Sequence, residues 1–247
     1  MSDPAPAVSE SLYPPSAPRS PWWSTWEDVL DVCYAPTAVF ERRRDGRYLG
    51  SFLVVCVVSV LVSLLSMQVM EAVQDIEFQR AIQAQAAAGT KMTQQQLDGM
   101  KAFGEKMKSL GLYFVPVLLL LGTWVGGLIV MALARMLGGK LNFAQASTIA
   151  LLSSVPELLE RVLVGAQGLV LDTNTIVHRY SFSLNAARFM PSDTNKWLMK
   201  AGAIADPFVI WSGVVIGIGV YVIGRMEKEK AAVAAVLYVL LLAAIFR

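Results

Sequence analysis

Three ionisable residues interrupt a long apolar stretch over residues 143–171. Glu157 and Arg161 are spaced i, i+4, so they can pair on one helix face, and Glu160 lies beside them. Pro156 removes one helical hydrogen bond just before them and predicts a kink. Charges at membrane depth face a bundle interior or water and are candidates for function. The cluster is therefore a possible proton or ion site or a gate. The alternative is a structural ion pair that reaches the outer interface.

No catalytic constellation accompanies this cluster. His178 is the single histidine and falls in a polar loop, where such residues are usually solvated. Cys33 and Cys56 fall at different depths, which argues against a disulfide and against a zinc site. With no nucleophile–base set and no phosphate loop, we predict no enzymatic activity, no cofactor and no metal. A membrane enzyme is the least favoured class.

Composition favours a bilayer as the solvent. The 247 residues are 55% hydrophobic and 16% charged, with a mean hydropathy of +0.52, whereas soluble domains are about 25% charged. A net charge of +2 is too small to indicate nucleic acid. The N-terminus lacks a basic segment followed by an apolar one, so no cleaved signal peptide is expected.

Five apolar stretches predict an all-α membrane protein with five transmembrane helices and an N-terminal cytoplasmic amphipathic helix. At ~1.5 Å per residue, each is long enough to cross, or nearly cross, ~30 Å of hydrocarbon. They cover about residues 48–70, 112–137, 143–171, 207–223 and 231–246. Asp206 followed by Pro207 is a typical N-cap and first residue for the fourth span.

The polar segment 71–111 predicts a helical hairpin. One helix is expected over residues 75–88, with a break at Gly89. A capping box of Thr93 and Gln96 should start a second helix, which ends at Leu110 before the second span begins. The other long loop, residues 172–206, predicts two short helices, over 182–189 and 194–203.

Two glycine pairs predict close helix contacts. Gly122 and Gly126 in the second span, and Gly213 and Gly217 in the fourth, have the small-xxx-small spacing that lets backbones approach. We therefore expect these two spans to pack on each other.

The N-terminal region divides into a tail and a helix. Residues 1–21, rich in Pro, Ser and Ala, predict a disordered tail, and residues 22–47 predict an interfacial helix followed by a basic run. Because Trp rings favour the headgroup level, the helix is expected to lie on the membrane surface; packing on the protein's own cytoplasmic face fits equally well. The expected membrane-surface residues are Trp22, Trp23, Trp26, Arg42, Arg43, Arg44 and Arg47.

The distribution of basic residues predicts the orientation. If there are five spans, one side of the membrane carries Arg42, Arg43, Arg44, Arg47, Arg135, Lys140, Arg225, Lys228 and Lys230. The positive-inside rule then places the N-terminus in the cytoplasm and the C-terminus outside the cell membrane. A four-span arrangement with a re-entrant third span would move Lys228 and Lys230 outside, so it is disfavoured.

An ordered set of motifs over roughly residues 29–246 resembles the Yip1 family of multi-pass membrane proteins, in its bacterial form. DVCYAPTAVFE, before the first span, is similar to the family's opening, and MTQQQLDGM resembles its polar insert. The family's turn into its third span is similar to Gly138-Gly139-Lys140 followed by Phe143, Gln145 and Pro156. The family's entry into its fourth span is similar to the segment Ala205-Asp206-Pro207-Phe208-Val209-Ile210-Trp211.

The resemblance implies a five-span fold and supplies no catalytic residues. Eukaryotic members of the family take part in vesicle traffic and engage small Rab-type GTPases, and some bacterial members assist membrane transport complexes. A non-enzymatic scaffold or adaptor is therefore expected. Its partners would be the lipid bilayer and other membrane proteins or a second copy of the chain, with no nucleic acid. The alternative is a small transporter or channel whose broken third span lines the path.

Overall fold

The structure is a computed structural model that describes residues 21–87, 89, 93–172 and 175–246, and within these ranges it contains helices and no strand. The predicted tail, apart from Pro21, lies outside the described residues. The described α-helices are α1 (Pro21–Asp31), α2 (Pro36–Arg42), α3 (Leu49–Leu65), α4 (Met67–Ala87), α5 (Gln94–Met136), α6 (Phe143–Ser153), α7 (Val155–Val170), α8 (Lys196–Ile204), α9 (Pro207–Gly224) and α10 (Lys228–Phe246), with a 3₁₀ helix at Ala186–Phe189.

Fewer helices than the sequence predicted are both long enough and apolar enough to cross a membrane. Two helical segments in the described ranges are long and apolar enough to span a bilayer, Leu110–Met136 within α5 and Pro207–Gly224. A third is added if α3 and α4, which are bent by 63° at their junction, count as one broken span. The structure therefore supports a helical membrane protein with two or three such spans by length and composition.

The first predicted span does not continue straight to Met70. It ends at Leu65, and the chain bends at Ser66 into α4. The separate helix expected over 75–88 is part of α4, which runs from Met67 to Ala87. The bend lies where α7 approaches closely. A Cβ at Gly165 would lie 2.8 Å from Leu65 Cγ, and one at Gly168 only 2.2 Å from Val69 Cγ2. Tertiary packing, rather than a local Pro or Gly, accompanies this break.

The second predicted span and the helix before it are one continuous rod. The capping box is confirmed: Gln96 N donates to Thr93 Oγ1 at 3.3 Å, and Thr93 N donates to Gln96 Oε1 at 2.9 Å. The expected end at Leu110 is wrong, because α5 is one continuous helix of 43 residues from Gln94 to Met136. At 1.5 Å per residue it is about 65 Å long, so it extends well beyond a hydrocarbon layer of about 30 Å.

The third predicted span is broken as expected. It separates at Ser154, two residues before Pro156, into α6 and α7. The break is stabilised locally, because Ser153 Oγ donates to Ala150 O at 3.0 Å and Ser154 Oγ donates to Leu151 O at 2.7 Å. The hydroxyls thus bond carbonyls of the turn that Pro156 follows.

The later helices begin close to their predicted positions. Asp206 Oδ1 accepts from Phe208 N at 2.8 Å and caps α9, as its sequence predicted. The short helix expected over 194–203 is α8, which starts at Lys196. The one expected over 182–189 is wrong in extent, because only Ala186–Phe189 is helical, as a single 3₁₀ turn.

The helices form a bundle with two unlike ends. We call the end that carries α1, α2 and the turns at Gly138–Lys140 and Arg225–Glu227 the inner end. The outer end carries α4, the first turns of α5 and the loop over 171–206. The two inner turns meet, because Lys140 N donates to Gly224 O at 3.3 Å.

The main core lies towards the inner end and includes α2. Phe40 of α2 and Ile149 of α6 are fully buried and meet at α9. A Cβ at Gly219 of α9 would lie 2.9 Å from Phe40 Cζ and 2.8 Å from Ile149 Cγ2. A second, small core at the outer end consists of Val69, Ile176 and Phe182. The segment before the first span therefore shares the core of the membrane helices.

The predicted glycine contacts are partly corrected. Gly126 packs on Tyr238 of α10 and Ala150 of α6, whereas nothing described lies within 4 Å of a Cβ at Gly122. Gly213 and Gly217 face α10 rather than α5, with Val239 Cγ2 and Ala235 Cβ as their neighbours. Three of the four glycines therefore lie against another helix, and for Gly213 and Gly217 that helix is α10 instead of α5.

Candidate functional site

The charged group of the third span lies at the start of α7. Pro156 is buried, Glu157 and Glu160 are half-buried, and Arg161 is exposed. The structure thus places the half-buried Glu157 directly after Pro156, next to the break in the third span.

Further chemistry at this cluster has little support. Within the described part of the chain, no group of three or more His, Cys, Asp or Glu side chains could hold a metal ion. Two buried hydroxyls bond their own helices: Thr123 Oγ1 donates to Leu119 O at 2.7 Å, and Thr148 Oγ1 donates to Ala144 O at 2.9 Å. Such bonds satisfy a polar group inside a helix.

The inner end carries an ion-pair network that the sequence did not reveal. Asp28 of α1 is 1% exposed and lies between two guanidinium groups. Arg42 Nε donates to its Oδ1 at 2.8 Å, and Arg43 Nε donates to its Oδ2 at 2.6 Å. Arg42 Nη2 also donates to Asp31 Oδ2 at 2.7 Å. The network fixes α1 on α2, and a buried carboxylate of this kind is stabilised only because it is fully paired.

The pKa of Arg42 reflects the same geometry. Burial alone lowers the pKa of this guanidinium, but the hydrogen bonds to Asp28 and Asp31 outweigh burial and raise it. Arg42 therefore stays charged at every physiological pH.

The two remaining arginines of the basic run also contact carboxylates. Arg44 Nη2 lies 3.8 Å from Glu41 Oε1, and Arg47 Nε lies 3.0 Å from Asp45 Oδ2. Exposed pairs of this kind contribute about 0–1 kcal/mol. All four arginines thus have an acidic neighbour within the chain, which reduces the charge that the run presents to anionic lipid.

The helix α1 has one face on the protein and one face open. Val29 and Val32 are buried in the main core. Trp26 and Leu30 in the helix, and Tyr34 in the turn that follows it, are spaced by four residues and are 45%, 67% and 75% exposed. We call these three residues the α1 stripe. The side chains of Trp22 and Trp23 lie outside the described residues. Packing on the protein, one of the two alternatives, therefore accounts for one face of the helix, and the stripe remains available for contact.

His178 has a structural role instead of the solvated one that was expected. It is 2% exposed. Tyr180 N donates to its Nδ1 at 3.2 Å, and its Nε2 lies 3.1 Å from Met190 O. This pattern assigns the proton to Nε2, and both ring nitrogens are then occupied by backbone groups. The imidazole therefore holds the outer loop together.

Comparison with protein families fits this architecture. The Yip1 domain family model matches residues 30–246, which is most of the chain. The chain belongs to the Yip1 family. The match begins within α1 and includes α2, in agreement with their place in the main core. Comparison with curated proteins and with solved structures gives no match. As a Yip1-family member the chain is a membrane protein of a family with trafficking-type roles, which is not known for enzymatic activity.

Proposed function

We propose that this Yip1-family protein is a non-enzymatic scaffold or adaptor that holds other membrane proteins, or a second copy of itself, in the cell membrane. In the proposed arrangement the five spans are α3 with the first turn of α4, α5 from Leu110, α6 with α7, α9, and α10. The N-terminus is cytoplasmic and the C-terminus is outside, as the clustering of basic residues at the inner end indicates.

The outward faces of the helices support the membrane placement. On α3, Leu53, Val57 and Leu61 follow one another at four-residue spacing and are all exposed. An apolar row of this kind is expected to face lipid, because exposure of apolar side chains to water is unfavourable.

The observation that carries the adaptor function is the α1 stripe. Ion pairs from Asp28 to Arg42 and Arg43 hold the helix rigidly, while Trp26 and Leu30 remain exposed. A rigid aromatic side chain in a fixed position is typical of interface hot spots, since little conformational entropy is lost on binding. The transport alternative gains no comparable support, because Ile149, Leu151 and Leu152 of the third span are buried in the packed core.

Photocrosslinking in intact membranes tests the adaptor function. A photoreactive phenylalanine analogue at Trp26 should give protein adducts of defined mass. At Trp197, an exposed tryptophan at the outer end, it should not give the same adducts. The double substitution Trp26→Ala/Leu30→Ala should reduce recovery of that partner by about 30-fold or more, as for a hot-spot pair, while Trp197→Ala/Leu198→Ala should leave it unchanged. Adducts with lipid alone, or equal losses for both variants, would reject the adaptor role.

Impermeant thiol labelling tests the five-span arrangement independently. In a background of Cys33→Ser and Cys56→Ser, K228C should be protected in intact cells and S192C should react. Reaction of K228C from the external medium would exclude five spans.

A further inference from the structure

A cavity of about 490 Å³ lies at the outer end, between α4 and α8. Its lining includes four basic side chains, Arg80, Arg179, Lys196 and Lys200, and two acidic ones, Glu77 and Asp193. His178 also lines it, and both of its ring nitrogens contact backbone groups of the loop. The cavity therefore has an excess of positive charge and favours an anion.

The wall formed by the loop is organised before any ligand binds. His178 joins the loop to Met190 O, as described above. Ser181 Oγ accepts from Val177 N and from His178 N, both at 3.0 Å, and donates to His178 O at 2.7 Å. Because these bonds fix the backbone around Arg179, an anion meets a preformed wall, which lowers the entropy cost of binding.

The opposite wall is fixed by Arg80 of α4. Its guanidinium donates to Val177 O across the cavity edge and lies 3.6 Å from Glu77 Oε1. Arg80 therefore joins α4 to the loop. The two ammonium groups of α8, from Lys196 and Lys200, are spaced i, i+4 and lie on one helix face. They are compact point charges of the kind that contact phosphate oxygens.

The level of the cavity in the proposed arrangement coincides with the lipid headgroups. The 17 residues of α3 span about 25 Å. After the 63° bend, α4 advances along that axis by only about 0.7 Å per residue. Arg80 then lies about 35 Å from the start of α3, roughly 5 Å beyond a hydrocarbon core of ~30 Å. The exposed aromatic ring of Trp197, next to Lys196 in α8, also favours this level.

We propose that this cavity binds the phosphate group of a phospholipid headgroup, with Lys196 and Lys200 as its principal phosphate contacts. The placement at the headgroup level rests on the five-span arrangement. The charge and shape of the cavity rest only on the described residues around it. Binding measured on solubilised protein is thus independent of orientation and of the α1 stripe, so this proposal and the adaptor function can fail separately.

Equilibrium binding to the full chain in neutral detergent tests the site. The probes are dioctanoyl phosphatidylglycerol, dioctanoylglycerol, glycerol 1-phosphate and inorganic phosphate. We expect saturable binding of the phosphatidylglycerol, weaker binding of glycerol 1-phosphate, and none of the uncharged dioctanoylglycerol. The variant Lys196→Gln/Lys200→Gln should weaken binding by about 25-fold, at about 5-fold for each basic residue near a phosphate. The control Lys101→Gln/Lys106→Gln removes two exposed lysines from α5 and should change nothing.

Each alternative result overturns a stated part of the proposal. Equal loss in both variants would indicate non-specific charge attraction and no site. Equal affinity for inorganic phosphate and phosphatidylglycerol would identify a site for the free ion and exclude the lipid. If no probe binds and none changes the melting temperature of the wild-type protein, both the lipid site and the free-ion site are excluded.

Discussion

The inner and outer ends of the bundle use the same residue types in opposite ways. At the inner end, Phe40 and Ile149 pack against Gly219 in one core, and the four arginines of the basic run have carboxylate neighbours. At the outer end, α5 extends beyond its neighbours with Met100, Phe103 and Met107 exposed. The comparison teaches that the inner end specifies the fold, whereas the outer end presents surface, and the stability of the protein should be distributed accordingly.

Glycine shows the difference most clearly. A Cβ at Gly127, in the inner half of α5, would lie 2.6 Å from Ser147 Oγ and 2.9 Å from Ser147 Cα. At Gly104 and Gly122 of the same helix, nothing described lies within 4 Å. The first glycine permits a backbone contact between α5 and α6, and the others do not.

The largest expected effect is at that contact. Gly127→Val should lower the free energy of unfolding by about 3 kcal/mol or more, because the Ser147 backbone must move. Gly122→Val, with the same change of side chain in the same helix, should cost less than about 1 kcal/mol. Unfolding in mixed detergent and sodium dodecyl sulfate, followed by circular dichroism, measures both. Equal costs would show that the contact with Ser147 does not constrain Gly127.

The next effect concerns the attachment of α1. Asp28→Asn should weaken the docking of this helix by about 2–3 kcal/mol, because two guanidinium groups lose a buried charged partner. Asp45→Asn, which breaks only the exposed pair with Arg47, should cost less than about 1 kcal/mol. Amide hydrogen exchange of residues 29–32 reports the difference. If exchange there is unchanged in Asp28→Asn, the network does not hold the helix.

A smaller effect should appear in the reactivity of Cys33. Burial raises the pKa of this thiol, so less thiolate is present at any given pH than for an ordinary cysteine. Labelling by an impermeant maleimide in solubilised protein should therefore be slow near pH 8 and should still increase above pH 9. Release of α1 in Asp28→Asn lowers the pKa towards its ordinary value, and labelling at pH 8 should become faster. The same rate in both proteins would show that α1 stays docked.

The smallest effect lies at the outer end. Gly104→Ala should raise the local stability of α5 by about 0.5–1 kcal/mol, because alanine loses less conformational freedom in a helix and the position is open. Slower amide exchange over residues 100–107 is the expected sign. A loss of stability instead would reveal a contact that fills this space.

Local signals in the sequence predicted local structure well. The capping box at Thr93, the N-cap at Asp206 and the break beside Pro156 each depend on residues within a few positions of one another, so they were readable. The family was also accessible, because its motifs follow in order along the chain.

The missed features depend on residues far apart. The bend at Ser66 accompanies glycines of α7 about a hundred positions later, and Asp28 finds its arginines only when α1 folds back on α2. The continuity of α5 was missed for a different reason. A change from polar to apolar composition at Leu110 alters the solvent around a helix without ending it. The outer cavity likewise combines residues of α4 and α8, which are more than a hundred positions apart in the chain.

The burial of Phe40 sets a limit on how short a working version of the protein can be. A chain cut to begin at Tyr48 would retain every apolar helix of the predicted spans, yet Gly219 and Ile149 would border an empty cleft where α2 had been. Gln145, whose side chain donates to Arg44 O at 2.8 Å, would lose that acceptor at the start of α6. The more polar segment before the membrane helices, which includes α2, is therefore needed for those helices to pack together.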